Sequence, residues 1–525
     1  MTFLNKCRFI LIGTFVALLA ACGGGEPAAE VVAPAPTTAV EAVIEDGVDE
    51  TTTEVVKQEE AVTEENSAEE PASTNAQTDW TSAWIMNETG ETSPIFDGVV
   101  VNVQSVEIQI INGKEYQCIT ASGIPNYETV IDQTIIDNLN NRQKASIEFT
   151  DGTAPLAVGD LVVFGGDVGY RPAMGCTEGQ DGAGYWPPGP ACPIEQNKSQ
   201  CFPLNPEPAT EVCEGGLNDI GTWVNGVSIF NWQDGQSYNG QGVWQNEAAH
   251  FEWNDLDIVP GHSANGNYHH HSNPFALGEQ LGDNGDGHSP IYGFAADGYP
   301  VYGPWHDAGV LANSCWKTRD YDNPDSDTGC GVAGERSCLL VDQYDISKGT
   351  IPADSNGPST SDIVTSMSGN DFVTTSGYYL QDYYYDSTCS DQGIVYLDEY
   401  NGHDHDGLGY HYHVSLEEQA DGALTDVFPF YIGPRYAGTL QDNAIASCST
   451  GEVMGPPPGG DGEGGGGQNG PPDLSGVAEA LSITEQDLLG ALGGPPPDMD
   501  AAAATLGITV EELRAAFDAA GVQAP

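Results

Sequence analysis

From Trp80 onward, apolar residues come in short runs of β-branched and aromatic side chains, each bounded by Gly, Asn, Asp or Pro. The runs at 98–103, 106–111, 160–165 and 221–227 are of this kind. Such runs predict strands, because branched and aromatic side chains fit a pleated surface while the flanking residues favour turns. Sustained helical periodicity is scarce as far as Cys448. Residues 80–450 are enough chain to close a substantial core in packed layers. The expected fold is mainly β, with antiparallel sheets in a sandwich-like arrangement and long disulfide-bonded loops. Residues 176–213 hold four cysteines among Gly and Pro and read as a disulfide-stapled loop.

The pattern changes at both ends. Residues 23–78 contain no aromatic and one basic residue, Lys57. Such a segment cannot bury enough apolar surface to offset ordering entropy, so it reads as a disordered acidic tether. Before it, Lys6 and Arg8 precede the apolar run Phe9–Leu19, which leads into Leu19-Ala20-Ala21-Cys22. Residues 1–22 therefore read as a secretory signal of the bacterial lipoprotein type, with the Cys22 thiol as the lipid attachment point; an ordinary cleaved signal is the alternative. Gly23 follows rather than Asp, which favours the outer membrane or cell surface. No other stretch is long and apolar enough to span a bilayer, so the expected membrane contact is the N-terminal lipid. Residues 451–470 are a Gly/Pro-rich linker. Residues 471–525 hold a repeat: Pro471-Pro-Asp473, Leu481, Ile483-Thr484 and Leu488 recur as Pro496-Pro-Asp498, Leu506, Ile508-Thr509 and Leu513. Thr484 with Asp487 and Thr509 with Glu512 resemble capping boxes, so two short helical units are expected.

Charge narrows the partners. The chain has 78 acidic against 14 basic residues. That balance excludes nucleic acid, whose phosphates need cationic partners, and leaves any protein or small-molecule partner open. Apart from Cys7 and Cys22, ten cysteines remain: Cys118, Cys176, Cys192, Cys201, Cys213, Cys315, Cys330, Cys338, Cys389 and Cys448. An even number in an exported chain predicts disulfides, with connectivity open. Asp322, Asp325 and Asp327 have oxygen-ligand character suited to calcium, but lack EF-hand spacing and read more simply as a solvated loop.

All eleven histidines fall between His250 and His413. Within that window Gly261-His262, Gly266 and Tyr268-His269-His270-His271 are echoed by Gly402-His403, Gly407 and Tyr410-His411-Tyr412-His413. On a strand, residues i and i+2 share a face. His269 then faces with His271, and His411 with His413, while a Gly-rich turn returns His262 or His403 to the same place. Neutral imidazoles so arranged suit a transition metal, copper or zinc first. His262, His269, His271, His403, His411 and His413 are the candidate ligands, in one shared site or two. His288 is a possible further ligand, and Asp297 a possible orienting carboxylate. His405, between Asp404 and Asp406, reads as a solvated loop residue, with a spare ligand as the alternative. A Ser289 triad lacks the G-x-S-x-G context that would support it.

These motifs resemble those of the YHYH-domain family. The resemblance rests on Leu397–His403, Tyr410–His413 and Phe428–Gly433, on His288-Ser-Pro with Asp297–Gly303, and on Trp223–Val227; it spans roughly residues 80–450. Here His270 stands where the family repeats Tyr, and Tyr400 and Pro434 stand where it often has Cys. The family is one of unknown function, so the resemblance implies fold and an exported location rather than an activity. Three functions follow: a lipid-anchored metal-binding protein; a metal-dependent hydrolase or oxidoreductase with Glu399 or Asp398 as general base; or a surface binding or adhesion module with structural histidines. The sequence leaves open whether the protein is an enzyme.

Overall fold

The computed structural model describes residues 80–449, except 95–97, 144, 150, 170–191, 218, 265, 367–368, 421 and 442–443, together with parts of 477–520. The signal segment with Cys22, the tether and the linker lie outside the described residues.

The chain is mainly β. A three-stranded antiparallel sheet joins β1 (Val103–Ile111), β2 (Lys114–Ala121) and β3 (Lys198–Pro203). An eight-stranded sheet contains β4 (Asp219–Trp223), β5 (Ser228–Phe230), β6 (Gly261–Ala264), β7 (Asn267–His270), β8 (Ile291–Ala295), β9 (Pro300–Tyr302), β10 (Gly402–Asp404) and β11 (Tyr410–His413). Its order is β6-β7-β5-β4-β8-β9-β11-β10. The two sheets share one core, in which Trp84 packs against Phe202 of β3 and Phe294 of β8 with ring centroids 5.7 and 5.1 Å apart. Aromatic pairs at this spacing add to the burial of their large apolar surfaces.

The eight-stranded sheet is two copies of one four-strand unit about a pseudo-twofold axis. At its centre β4 and β8 run antiparallel, with Thr222 opposite Phe294 and the pairs Gly293–Trp223 and Ala295–Gly221 on either side. Val224 N–H donates to Tyr292 carbonyl at 2.8 Å or less, and Ala296 N–H donates to Ile220 carbonyl in return. Each central strand turns back on its neighbour through a matched turn. Gly226 N–H donates to the Trp223 carbonyl, and Gly298 N–H to the Ala295 carbonyl. Both glycines have positive φ, +84° and +95°, a conformation costly for a residue with a Cβ. Both are also roofed by the smaller sheet: a Cβ on Gly226 would lie 2.6 Å from Ala121 Cβ, and one on Gly298 2.8 Å from Pro203. Outside the hairpins, β7 pairs parallel with β5 and β11 parallel with β9, and antiparallel β6 and β10 close the two edges. The sheet is therefore mixed at two junctions rather than antiparallel throughout.

Between β9 and β10 the chain builds short hairpins closed by Cys315–Cys389 and Cys330–Cys338. Inside them Arg336 and Asp382, both fully buried, form a two-pronged ion pair at 2.8 Å. Its remaining guanidinium donors reach the carbonyls of Pro358, Thr374 and Thr375, which is what makes a buried charge pair tolerable.

The predicted strands at 106–111 and 160–165 form, as parts of β1 and of a short strand Leu161–Val163. The run at 98–103 does not form one strand: Val100 makes an isolated bridge to Thr92, and Asn102 turns to φ +59° before β1 begins at Val103. The run at 221–227 stops at Trp223 because Asn225 and Gly226 make the hairpin turn. Two of the four cysteines at 176–213 tie that stretch to distant parts of the fold. Cys201 bonds Cys118 across β2 and β3, and Cys213 bonds Cys448. Cys192 is disulfide-bonded too, and Cys176 lies outside the described residues.

At the C-terminal end, helix α1 (Val510–Ala520) begins with a capping box: Thr509 N–H donates to Glu512 and Glu512 N–H to the Thr509 hydroxyl. Leu513, Ala516 and Phe517 pack with Val477, Leu488, Ala502 and Ala503. The first predicted box, Thr484 with Asp487, lies outside the described residues.

Cys213–Cys448 closes a loop with a sequence separation of 235 that contains every histidine. Closing so long a loop removes much unfolded-state entropy. Changing both cysteines to Ser should lower stability by about 3–5 kcal/mol, read as a lower denaturant midpoint; an unchanged midpoint would show that the bridge constrains nothing.

Candidate metal centres

The two histidine motifs occupy the two edges of the eight-stranded sheet. His262 of β6 faces His269 of β7, and His403 of β10 faces His411 of β11, in the same antiparallel register. They therefore form two sites rather than one shared site.

Each edge hairpin is braced by the same carboxylate. Asp257 accepts hydrogen bonds from Val259 N–H, Gly261 N–H and the Tyr268 hydroxyl at 2.7–2.9 Å. Asp398 accepts from Tyr400 N–H, Gly402 N–H and the Tyr410 hydroxyl at 2.9–3.1 Å. The glycine before each lone histidine makes room for that tyrosine: a Cβ on Gly261 or Gly402 would come within 2.2 or 2.4 Å of its hydroxyl oxygen. The first residue of each motif, Gly, and its fourth landmark, Tyr, thus form one bracket. Asp398, a candidate general base from the sequence, spends its carboxylate on this bracket. Burial raises the Asp398 carboxyl to about 7 and that of Asp257 to about 6.

The imidazoles are oriented by backbone carbonyls. His269 Nδ1 lies 2.8 Å from the Asn267 carbonyl, and His411 Nδ1 2.7 Å from that of Gly409. His271 Nδ1 reaches the Asn231 carbonyl just beyond β5, and His413 Nδ1 the Gly303 carbonyl just beyond β9, both at 2.7 Å. His403 Nδ1 meets the Ile394 carbonyl at 2.6 Å and His288 Nδ1 that of Ser289 at 2.8 Å. A carbonyl only accepts, so each Nδ1 carries the proton and donates, leaving Nε2 with a lone pair. This tautomer is the one that binds metal through Nε2.

At the first edge, His262, His269 and His271 converge, with all three ligand atoms within 4.8 Å of one another. His269 Nε2 is 3.1 Å from His271 Nε2. Glu252 completes the group: one carboxylate oxygen lies 3.2 Å from His262 Nε2 and 3.0 Å from His271 Nε2. Phe230 stacks on the His269 ring at 3.7 Å and fixes its plane. The Glu252 side chain keeps 27% exposure against 2% for His262, while the carboxylate oxygen that meets the imidazoles is buried.

At the second edge, two converging groups share a member: His288, His405, His411 and His413, and His306, His403 and His405. Nε2 of His288, His403, His411 and His413 is buried without a hydrogen-bond partner, as are Nδ1 of His306 and both ring nitrogens of His405. Unpartnered buried nitrogens cost roughly 1–3 kcal/mol each, and cations bound in these groups would satisfy them. An open depression of about 330 Å³, lined in part by Tyr396, Asp398, His403 and Tyr410, adjoins this edge.

The three groups take in every histidine except His250 and His270. His270 points to the opposite face, against Tyr268 and Trp223. His405, expected in a solvated loop, is 8% exposed and belongs to both second-edge groups. His288 joins that edge too. Asp297 acts at one remove: it accepts the Tyr412 hydroxyl at 2.5 Å and so anchors β11 from the face opposite His411 and His413. Glu399 falls outside all three groups. Ser289 donates to Asp283 rather than to a histidine. Asp322, Asp325 and Asp327 are exposed, and among the described residues they form no converging group. Glu252 and His306 carry no motif; only their place in the fold brings them in.

Burial is the main cause that pushes His269, His403, His411 and His413 below the usual imidazole value, to about 3 for His403 and about 4 for His411. Burial also opposes the charged form of His262, but the Glu252 carboxylate outweighs it and raises His262. Glu252 is correspondingly held well below the carboxylate range: burial would raise it, and His262 and His271 prevail. For a depressed imidazole, the unfolded chain binds protons first, so its contribution to stability is lost as pH falls below about 6.5. The raised Asp257 and Asp398 carboxyls act with the opposite sign. In the metal-free protein, NMR titration should find His403, His411 and His413 neutral at pH 5 and His262 still protonated. Titration of all four near the ordinary imidazole value would contradict this geometry.

Residues 199–390 match the model of the family described as YHYH protein. The match takes in β4 to β9, the first histidine motif, His288 and His306, and ends before the second motif. It is narrower than the stretch over which the sequence resembles the family. No curated protein matches the chain, and no solved structure does. With the strand–turn–strand units and the first histidine edge inside the matched stretch, the chain carries a YHYH domain.

Proposed function

We propose that the protein is an exported, lipid-anchored metal-binding protein of the cell envelope, carrying transition-metal ions at both edges of its central sheet. The observation that carries this reading is the set of buried imidazoles whose Nδ1 protons are tied to carbonyls while their other nitrogens converge. Tightly packed structural histidines would instead have both nitrogens satisfied and no shared focus. The first edge offers three imidazoles and the Glu252 carboxylate, a mixed set suited to zinc and other borderline divalent ions. The second offers imidazoles alone, which suits copper or zinc. The anchoring part rests on the signal-like segment ending at Cys22 and on the exported chemistry of the disulfides.

A second reading, a metal-dependent hydrolase or oxidoreductase, draws on one feature. Glu252 is the partly exposed member of the first edge, and a shift of its carboxylate would leave a coordination position for a water or substrate atom. In that reading Glu252, not Glu399, is the carboxylate beside the reacting atoms.

The test is elemental analysis of mature protein purified without a His tag, beside a variant with His269, His271, His411 and His413 changed to Ala. Copper, zinc or another transition metal at one or more ions per chain is expected, lost in a folded variant. Metal should also stabilise the wild type, by about 4 kcal/mol at a thousandfold excess over Kd. A wild type that holds no metal and takes up none on dialysis overturns the proposal.

A further inference from the structure

The second edge holds more imidazoles than one ion uses. Zinc sites in proteins are almost always four-coordinate, yet six histidines gather here. They do not share a single focus: the ligand atoms close up within 4.8 Å as two groups, and His405 is the residue common to both. His288, His403, His411 and His413 each spend Nδ1 on a carbonyl and so have one nitrogen to offer. His405 differs. Both its nitrogens are buried without a hydrogen-bond partner, and the exposed Asp406 carboxylate stands 3.5 Å from Nδ1.

Resting on the metal-binding reading above, we propose that the second edge is a two-metal centre in which His405 lies between the ions, one nitrogen to each. His288, His411 and His413 complete one side; His306 and His403 belong to the other. The first ion takes the lone pair of one His405 nitrogen. The second takes the other nitrogen, whose proton leaves to solvent, and no electron is transferred.

The first edge is the internal comparison. In the pseudo-twofold correspondence, Ala264 stands at the place of His405, Asp234 at that of His306 and Gly216 at that of His288. It lacks the three additional imidazoles, and Glu252 serves instead. One ion at the first edge and two at the second are expected.

The experiment is titration of the chelator-stripped full chain with Zn(II), counted by native mass spectrometry, and with Cu(II), followed by electron paramagnetic resonance. Zinc should saturate at three ions per chain. Copper should saturate likewise with a spin count well below its copper content, because an imidazole bridge couples the two unpaired electrons. His405→Ala should take two ions and restore the missing spin. Retention of the first-edge ion, lost separately in Glu252→Ala, reports that the His405 variant is folded. Two ions per wild-type chain with full spin count would overturn the two-metal centre and leave the metal-binding reading standing; no ion at all would overturn both. A His405→Ala variant that still binds three ions, with the coupling unchanged, would also overturn it.

Discussion

A buried imidazole has two nitrogens to satisfy, and here the backbone satisfies one. The Nδ1-to-carbonyl hydrogen bonds of His269, His271, His403, His411 and His413 fix the proton, the ring plane and the direction of Nε2 together. Everything else at the two edges follows from where those carbonyls are. The two that come from other strands, Asn231 and Gly303, sit immediately beyond β5 and β9, so the parallel pairing of β7 with β5 and of β11 with β9 is what aims His271 and His413. A slip of one residue in either pairing would turn the histidine face to the other side of the sheet. The sheet core, the glycine turns roofed by the smaller sheet and the Asp–Tyr brackets all serve to hold that register.

The pseudo-twofold sheet explains why one chemical theme appears twice and with different character. The turn at Asn225-Gly226 and the turn at Asp297-Gly298 are equivalent, as are the brackets of Asp257 and Asp398. What differs is the filling. Asp297 reaches past its turn to hold Tyr412, whereas the first copy has Asn225 and His270 at those places. At the first edge Glu252, at the boundary of a short helix Ala248–Phe251, brings a carboxylate to three imidazoles. At the second, His288, His306 and His405 arrive from the sheet's own loops and leave no carboxylate in either converging group. In the metal-free first site the Glu252 carboxylate favours the charged form of His262, so an ion bound there would displace a proton.

The motif pairs were legible in the sequence because strand geometry translates H-x-H directly into a shared face, and the repeated Gly-His announces the antiparallel partner. The mainly β character was legible too, in short β-branched and aromatic runs between turn residues. Parallel pairing of β7 and β11 with distant strands was not, since nothing in Tyr268–His271 or Tyr410–His413 states which strand lies alongside. Glu252 could not be picked from 78 acidic residues, because its role depends on a helix boundary folding back over β6. The acidic neighbours of His405 favour a solvated loop, but Asp404 and Asp406 are exposed while the ring packs inward among imidazoles. The disulfides, too, follow strand adjacency, as in Cys118 opposite Cys201, rather than closeness in sequence.

The most direct test of the central claim, that the carbonyl-aimed imidazoles form metal centres at both edges, is anomalous diffraction from crystals soaked in Zn(II) at its absorption edge. The account predicts anomalous peaks at both ends of the sheet, the first bonded to Nε2 of His262, His269 and His271 with Glu252 alongside, the second bonded to Nε2 of His411 and His413. Crystals with no peak at either edge, and with the same nitrogens hydrogen-bonded to ordered water instead, would contradict it.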